Sequence, residues 1–140
     1  MIGSGELMQL QAAIPALPVR NVELSIPFYR DVLGLMMRHH DGGFAIFHQD
    51  TVEIHLWQAD DESWRTRTAS EPVCSGAESF LAGTASCRIA MSGVDELYTL
   101  LQQRNVIHPN AHISTTDWGT REFGVIDPDN NLITFFERAS

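Results

Sequence analysis

Residues 117–137 read DWGTREFGVIDPDNNLITFFE. Two runs in this stretch, Thr120–Ile126 and Leu132–Glu137, read as strands, because β-branched, aromatic and large apolar side chains fit a pleated, half-buried surface. Between them, Asp127-Pro128-Asp129-Asn130 is a strong turn signal: proline presets φ, and Asp and Asn side chains bond their own backbone. Upstream, Val106–Ser114 contains a connector and a short strand. Asp95–Arg104 reads as a helix with Leu97, Leu100 and Leu101 on one face. Thr84–Ser92 is a further strand. Residues 84–137 therefore run strand, helix, then three strands.

The first half of the chain repeats that order. Ile14–Val19 (IPALPV) is short and apolar, and Pro15 and Pro18 mark it as an edge or irregular strand, since proline cannot donate to a ladder. Asn21 is a plausible N-cap. It precedes VELSIPFYRDVLGL, where Leu24, Phe28, Val32 and Leu33 recur at helical spacing. Pro27 lies in the first turns, where it is tolerated, and Gly34 is a natural stop. Leu35–His39, Phe44–His48 and Thr51–Gln58 follow as an antiparallel meander, with turns at Asp41-Gly42-Gly43 and Gln49-Asp50. Identity between the halves is low, so the repeat is one of pattern, not of letters.

These readings predict an α+β protein of two βαβββ modules, whose curved mixed sheets surround a cleft. Residues 1–13 form an N-terminal arm and 14–140 a single domain, with module one at 14–58, a connector at 59–83 and module two at 84–137. The connector is polar and small-residue-rich, with room for one helical turn, and a connector of that length in a compact domain usually has a job. Clefts between repeated modules are common ligand sites.

Composition narrows the partners. The chain has 140 residues and a formal net charge of -9, and its nine basic residues are all arginine. A chain this long buries roughly two-thirds of the surface it exposes when unfolded, so it needs no structural metal or disulfide. The acidic surface repels phosphate backbones, which argues against nucleic acid, and favours cationic ligands. The sequence shows neither a signal peptide nor a long apolar run, and only two cysteines, Cys74 and Cys87. A cytoplasmic protein with no membrane partner and free thiols is expected. Cys87 is expected to pack in a strand and Cys74 to lie in the connector.

Several motifs carry a resemblance. PVRNVELSIPFYRDVLGL resembles the first helix region of the vicinal-oxygen-chelate superfamily, which includes glyoxalase I, extradiol dioxygenases, fosfomycin-modifying enzymes and bleomycin-resistance proteins, and DPDNNLITFFE resembles its closing hairpin and strand. DWGTREFGVIDPDNN, GVDELY and Pro15 are similar to the bleomycin-resistance branch. The resemblance covers residues 14–137. It implies the glyoxalase/bleomycin-resistance fold, and a homodimer in which the N-terminal strand is exchanged and the cleft forms between chains.

Enzymes of that superfamily hold a divalent metal with one ligand from the first and last strand of each module. The resemblance places those positions at Ile14, His55, Arg88 and Thr134. Only His55 is a credible ligand, and one histidine does not make a site; His39-His40 reads as a solvated pair. No metal, cofactor or catalytic residue is therefore expected. No nucleophile elbow, phosphate loop or Cys-x-x-Cys is present either.

The first functional reading is an antibiotic-resistance protein that sequesters bleomycin-like glycopeptide drugs without chemical change. Such drugs present a flat bithiazole and a cationic tail, which call for aromatic faces and carboxylates. The expected ligand-binding residues are Phe44, His55, Trp57, Asp60, Asp61, Trp64, Arg88 and Trp118. Either Phe44 or Phe47 must face the core. Arg88 is the odd member: in the cleft it would need a carboxylate, with Glu53 and Asp117 as the candidates. The alternatives are a metal-dependent lyase, isomerase or dioxygenase of the same fold, and a ligand-binding domain for an unknown small molecule.

Overall fold

The computed structural model describes residues 8–68 and 76–139. Two four-stranded sheets share one strand order. In the first, β1 (Ala16–Val19), β4 (Val52–Gln58), β3 (Phe44–Gln49) and β2 (Met36–Asp41) lie side by side. In the second, the order is β5 (Ser86–Ala90), β8 (Leu132–Arg138), β7 (Thr120–Ile126) and β6 (Ser114–Thr115). The β1–β4 and β5–β8 pairs are parallel and the rest antiparallel. A parallel pair needs a crossover; helices α1 (Val22–Pro27) and α2 (Val94–Gln102) begin those crossovers, and each meander completes one. The fold is α+β, as expected.

Period-two alternation divides each sheet into two faces. Leu17, Val19, Ala45, Phe47, Ile54 and Leu56 point into the core from the first sheet, and Phe123, Val125, Ile133 and Phe135 from the second. One cluster joins both sets with Val22, Ile26, Tyr29, Val94 and Leu101 from the helices. Each large apolar side chain removed from water contributes about 1.5–3 kcal/mol. Phe47 is the core phenylalanine of β3 and Phe44 faces the other way, which resolves the choice between them.

The first helix departs from its expected face. Leu24 is 73% exposed. The buried stripe is Val22, Ser25, Ile26 and Tyr29, the i, i+3, i+4, i+7 pattern of a core-facing helix. A polar residue hides that stripe in the sequence. The Ser25 hydroxyl bonds the Asn21 carbonyl at 3.2 Å and lies 3.5 Å from Asp129 Oδ2, so its burial is compensated. Asn21 caps the helix, accepting from the Leu24 N–H at 3.2 Å. After Pro27 the chain widens into a π-helical turn, Phe28–Val32, closed by the Leu33 N–H on the Phe28 carbonyl at 2.9 Å. That turn brings Phe28 inward as well. Gly34, at φ +79°, ends it as expected. In α2, Leu100 is 44% exposed, and Val94, Leu97, Tyr98 and Leu101 make the inner face instead.

The DPDNN turn does more than reverse the chain. Asp127 accepts from the backbone of Asp129 and Asn131 with one oxygen, and from Tyr29 Oη (2.7 Å) and Asn131 Nδ2 (2.9 Å) with the other. Asn131 Nδ2 also donates to the Pro18 carbonyl at 2.9 Å, and Arg20 pairs with buried Asp129 at 2.5 Å. Burial first, and the Asp127 carboxylate second, push the Tyr29 hydroxyl well above its ordinary pKa. A module-two turn thus locks onto the first strand and helix of module one. Arg104 adds a second tie, donating to the Asp31 and Val32 carbonyls that end the first helical segment.

The strand expectations need one correction at the start of the chain. Ile14 precedes β1 and is exposed; the residue opposite His55 is Ala16. The described part of the connector makes two 3-10 turns, Ser63–Thr66 and Ala77–Ser79, tied together by Asp61 N–H on the Glu78 carbonyl at 3.0 Å. Cys74 lies outside the described residues. Cys87 sits half-buried in β5 with a free thiol. Among the described residues no helix is long and apolar enough to cross a membrane.

Candidate ligand-binding site

The faces turned away from the core carry the chemistry. On the first sheet, Phe44 lies opposite Trp57, and Ile46 opposite His55. The Phe44 ring centres 4.6 Å from Trp57, 5.1 Å from His55 and 5.9 Å from His39. Gly76 packs on the Trp57 indole: a Cβ there would lie 2.5 Å from a ring carbon, so only glycine lets the connector backbone approach this closely. His55 Nε2 is 2.6 Å from Glu53 Oε2, and Arg38 reaches the other Glu53 oxygen at 2.8 Å. Those contacts, His55 foremost, hold the Glu53 carboxyl below the usual range.

The second sheet presents Arg88, Glu122, Thr134 and Phe136 on its corresponding face. Arg88 is opposite Thr134, and Glu122 opposite Phe136. Arg88 meets both Glu122 oxygens, at 2.9 and 3.2 Å, and lays its guanidinium over the Phe136 ring at 4.6 Å. The partner of Arg88 is therefore Glu122, not Glu53 or Asp117. Strand geometry explains the difference: β7 runs beside β8, so Glu122 sits one strand beyond Thr134 on the same face. The Arg88 contact, first of several, lowers the Glu122 pKa, and Glu122 in turn raises that of Arg88. Trp118, 71% exposed, stands in the turn before β7. It lines a recess of about 230 Å³ with Glu122, Thr134, His112 and Gly124.

The expected residues thus fall into three places. Phe44, His55 and Trp57 form one aromatic group on the first sheet. Arg88 and Trp118 belong to the second sheet, where Arg88 pairs with Glu122 and Trp118 lines a recess with that same carboxylate. Asp60, Asp61 and Trp64 line a separate recess of about 490 Å³ with exposed Phe80 and Leu81. There Arg65 covers the Trp64 ring at 4.8 Å, and the Ser63 backbone N–H holds the Asp61 carboxyl low. The first two faces adjoin at a recess of about 340 Å³, lined by Glu53, Arg88 and the chain entering β1 at Ala12–Pro15.

A divalent ion does not fit the four superfamily positions. Ala16 and Thr134 bring at most one hydroxyl, Arg88 brings a cation, and His55 is engaged by Glu53. Among the described residues no three His, Cys, Asp or Glu side chains converge as a metal shell. The geometry offers instead aromatic faces, a neutralised arginine and open rims.

The match to a family model decides the affiliation: residues 11–135 fit the Glyoxalase/Bleomycin resistance protein/Dioxygenase superfamily. The chain belongs to that superfamily. A Bleomycin resistance protein of Geobacillus stearothermophilus is 53% identical over 126 residues, 90% of this chain and 96% of the relative. Two solved structures share the superfamily fold. One is the bleomycin-binding protein of bleomycin-producing Streptomyces verticillus, complexed with copper(II)-bleomycin (TM-score 0.63, 20% identity, 95% of this chain and 98% of that one). The other is a lactoylglutathione lyase from Agrobacterium tumefaciens (TM-score 0.70, 20% identity, 91% and 94%). One fold therefore carries a bleomycin-binding protein and a lyase, and fold alone does not choose between such roles.

Sequence reasoning passed over Glu122. Its signal was present: a carboxylate on the period-two face opposite Phe123 and Val125, flanked by Thr120 and Gly124 on the same face. Thr134 joins the same recess through its pairing with Gly124, and His112 because the connector before β6 folds back along β7, with His108 N–H on the Gly124 carbonyl and Gly124 N–H on the Ala111 carbonyl, both at 2.9 Å.

Proposed function

We propose that this superfamily member is a resistance protein that sequesters bleomycin-like glycopeptide drugs, one per chain, without making or breaking a bond. The observation that carries the reading is the 53% identity to a bleomycin resistance protein across nearly the whole of both chains. The site chemistry supports it. Trp118 offers an open indole face, and Phe44 with Trp57 offers a second aromatic surface. A bare Arg88 would repel a cationic drug; paired with Glu122 it does not. Phe44, His55, Trp57, Arg88 and Trp118 are the proposed contacts, and Asp60, Asp61 and Trp64 are proposed to receive the cationic tail.

The reading includes a homodimer. In one chain both faces are open to solvent, and a second copy laid across them would close the cleft. An N-terminal strand exchanged at Pro15 and Pro18 is part of the same proposal.

Titration of metal-free bleomycin, followed by tryptophan fluorescence, tests the binding reading. Saturable quenching at one drug per chain, lost in Trp118→Ala, is expected. Absence of any signal at high micromolar drug would reject it. Recovery of chemically unchanged drug by mass spectrometry tests the claim that no bond changes. Sedimentation velocity with and without drug tests the dimer.

A further inference from the structure

Arg38, Glu53 and His55 form a chain of contacts on the first sheet. Arg38 Nη1 donates to one Glu53 oxygen at 2.8 Å, and His55 Nε2 lies 2.6 Å from the other. The Glu53 carboxyl is held below its ordinary range, so at neutral pH it is ionised and can only accept. The proton in the 2.6 Å contact therefore belongs to Nε2. Phe44 meets the imidazole edge-on, with ring centres 5.1 Å apart and planes at 79°, and limits how the ring can turn. Among the described residues, His55 Nδ1 makes no hydrogen bond, and the one buried side-chain nitrogen or oxygen without a partner is Glu78 Oε2. His55 Nδ1 is therefore open to solvent.

We propose that Glu53 is a positioning residue that fixes His55 as its Nε2–H tautomer, so that Nδ1 presents a lone pair to the cleft and accepts an N–H of the bound drug. The inference rests on the drug-binding reading and gives the His55 contact its polarity: it selects a hydrogen-bond donor. A neutral imidazole carries one donor and one acceptor, and the bond made by one nitrogen decides the role of the other. Arg38 takes part by occupying one Glu53 oxygen, which leaves the second for Nε2. An acceptor oriented beforehand spares the ligand the cost of ordering it. Among the described residues no three His, Cys, Asp or Glu side chains converge, so the lone pair serves a hydrogen bond and not a metal shell.

The test uses the full chain and begins without ligand. Long-range proton–nitrogen NMR at pH 8 reports which ring nitrogen of His55 carries the proton, with His55→Phe assigning the signals. Wild type is expected to show Nε2 protonated and Nδ1 bare. In Glu53→Gln, Arg38 claims the amide oxygen and the amide N–H faces Nε2, so the ring is expected to move its proton to Nδ1. Arg38→Met frees that amide to flip, and Arg38→Met/Glu53→Gln is expected to restore the wild-type pattern. A proton on Nδ1 in wild type, an unmoved proton in Glu53→Gln, or no restoration in the double variant would each overturn the proposal. Metal-free bleomycin titrations then read the ligand side. His55→Phe and Glu53→Gln are each expected to weaken binding about tenfold, the loss of one hydrogen bond to a charged or strongly polar group. His55→Phe/Glu53→Gln is expected to bind no more weakly than His55→Phe, because both changes remove the same contact. Wild-type affinity in either single variant would overturn the proposal. So would multiplying losses in the pair, which would mean that Glu53 only cancels the Arg38 charge. If the wild-type chain fails to bind, the sequestration reading falls, and the ligand-free spectra still decide whether Glu53 sets the tautomer.

Discussion

Arg88 carries a full charge on the open face of a sheet, and its behaviour depends on a residue 34 positions away in the chain. The same dependence sets how the site responds to acid. Glu122 has a folded pKa below its ordinary value of 4.5. A carboxyl depressed in this way stabilises the folded chain above that ordinary value, and the contribution is lost as pH falls through the folded pKa. The Glu122–Arg88 pair is therefore expected to support drug binding fully above about pH 4.5 and to lose that support as pH falls further, which comparing wild type with Glu122→Gln at fixed ionic strength would read. Cys87 shifts the other way. Burial pushes its thiol up to about 11 from 9.0, so the group stays protonated at neutral pH, and its contribution is lost only as pH rises past those values. In a Cys74→Ser chain, iodoacetamide at pH 8 is expected to leave Cys87 unlabelled when folded and to label it fully in urea. The need of Arg88 for a carboxylate was legible from its residue type. The identity of that carboxylate was not, because cross-strand neighbours follow register and not chain distance.

At the scale of single elements, the first helix tests how far periodicity reaches. Leu24 fits the apolar spacing, yet Ser25 occupies the buried stripe, since a satisfied hydroxyl is as compatible with the core as a methyl group. Leu24→Ala is expected to change stability by less than about 0.5 kcal/mol, whereas Ile26→Ala is expected to cost about 2–5 kcal/mol. Paired urea melts would show whether the assigned face is right. The closing turn makes a similar point. Its position between β7 and β8 was plain from DPDN, but its partners were not. Tyr29→Phe removes the hydroxyl that Asp127 accepts and leaves a buried carboxylate one bond short. A loss of about 1–3 kcal/mol is expected, seen as a fall of several degrees in Tm with no change in fold by circular dichroism.

For the whole molecule, charge acts at long range. With a net charge of -9, association with a cationic drug is expected to slow as salt rises, while dissociation changes little. Stopped-flow quenching at 20 and 300 mM salt would measure this, and a salt-independent association rate would remove the electrostatic part of the argument.

Length, alternation and turn chemistry by themselves determined that this chain folds as two βαβββ units, because period-two and helical stripes are local properties of residue order. The motifs WGTREF and DPDNN also marked the family that the model match then established. Tertiary structure alone decided what those motifs touch. It set Ala16, not Ile14, beside His55, put Gly76 against Trp57, tied the DPDNN turn to Tyr29 and Pro18, and paired Arg88 with Glu122. Each of these contacts spans strands or modules. Their geometry comes from sheet register and close packing, which are properties of the assembled chain and have no local signature.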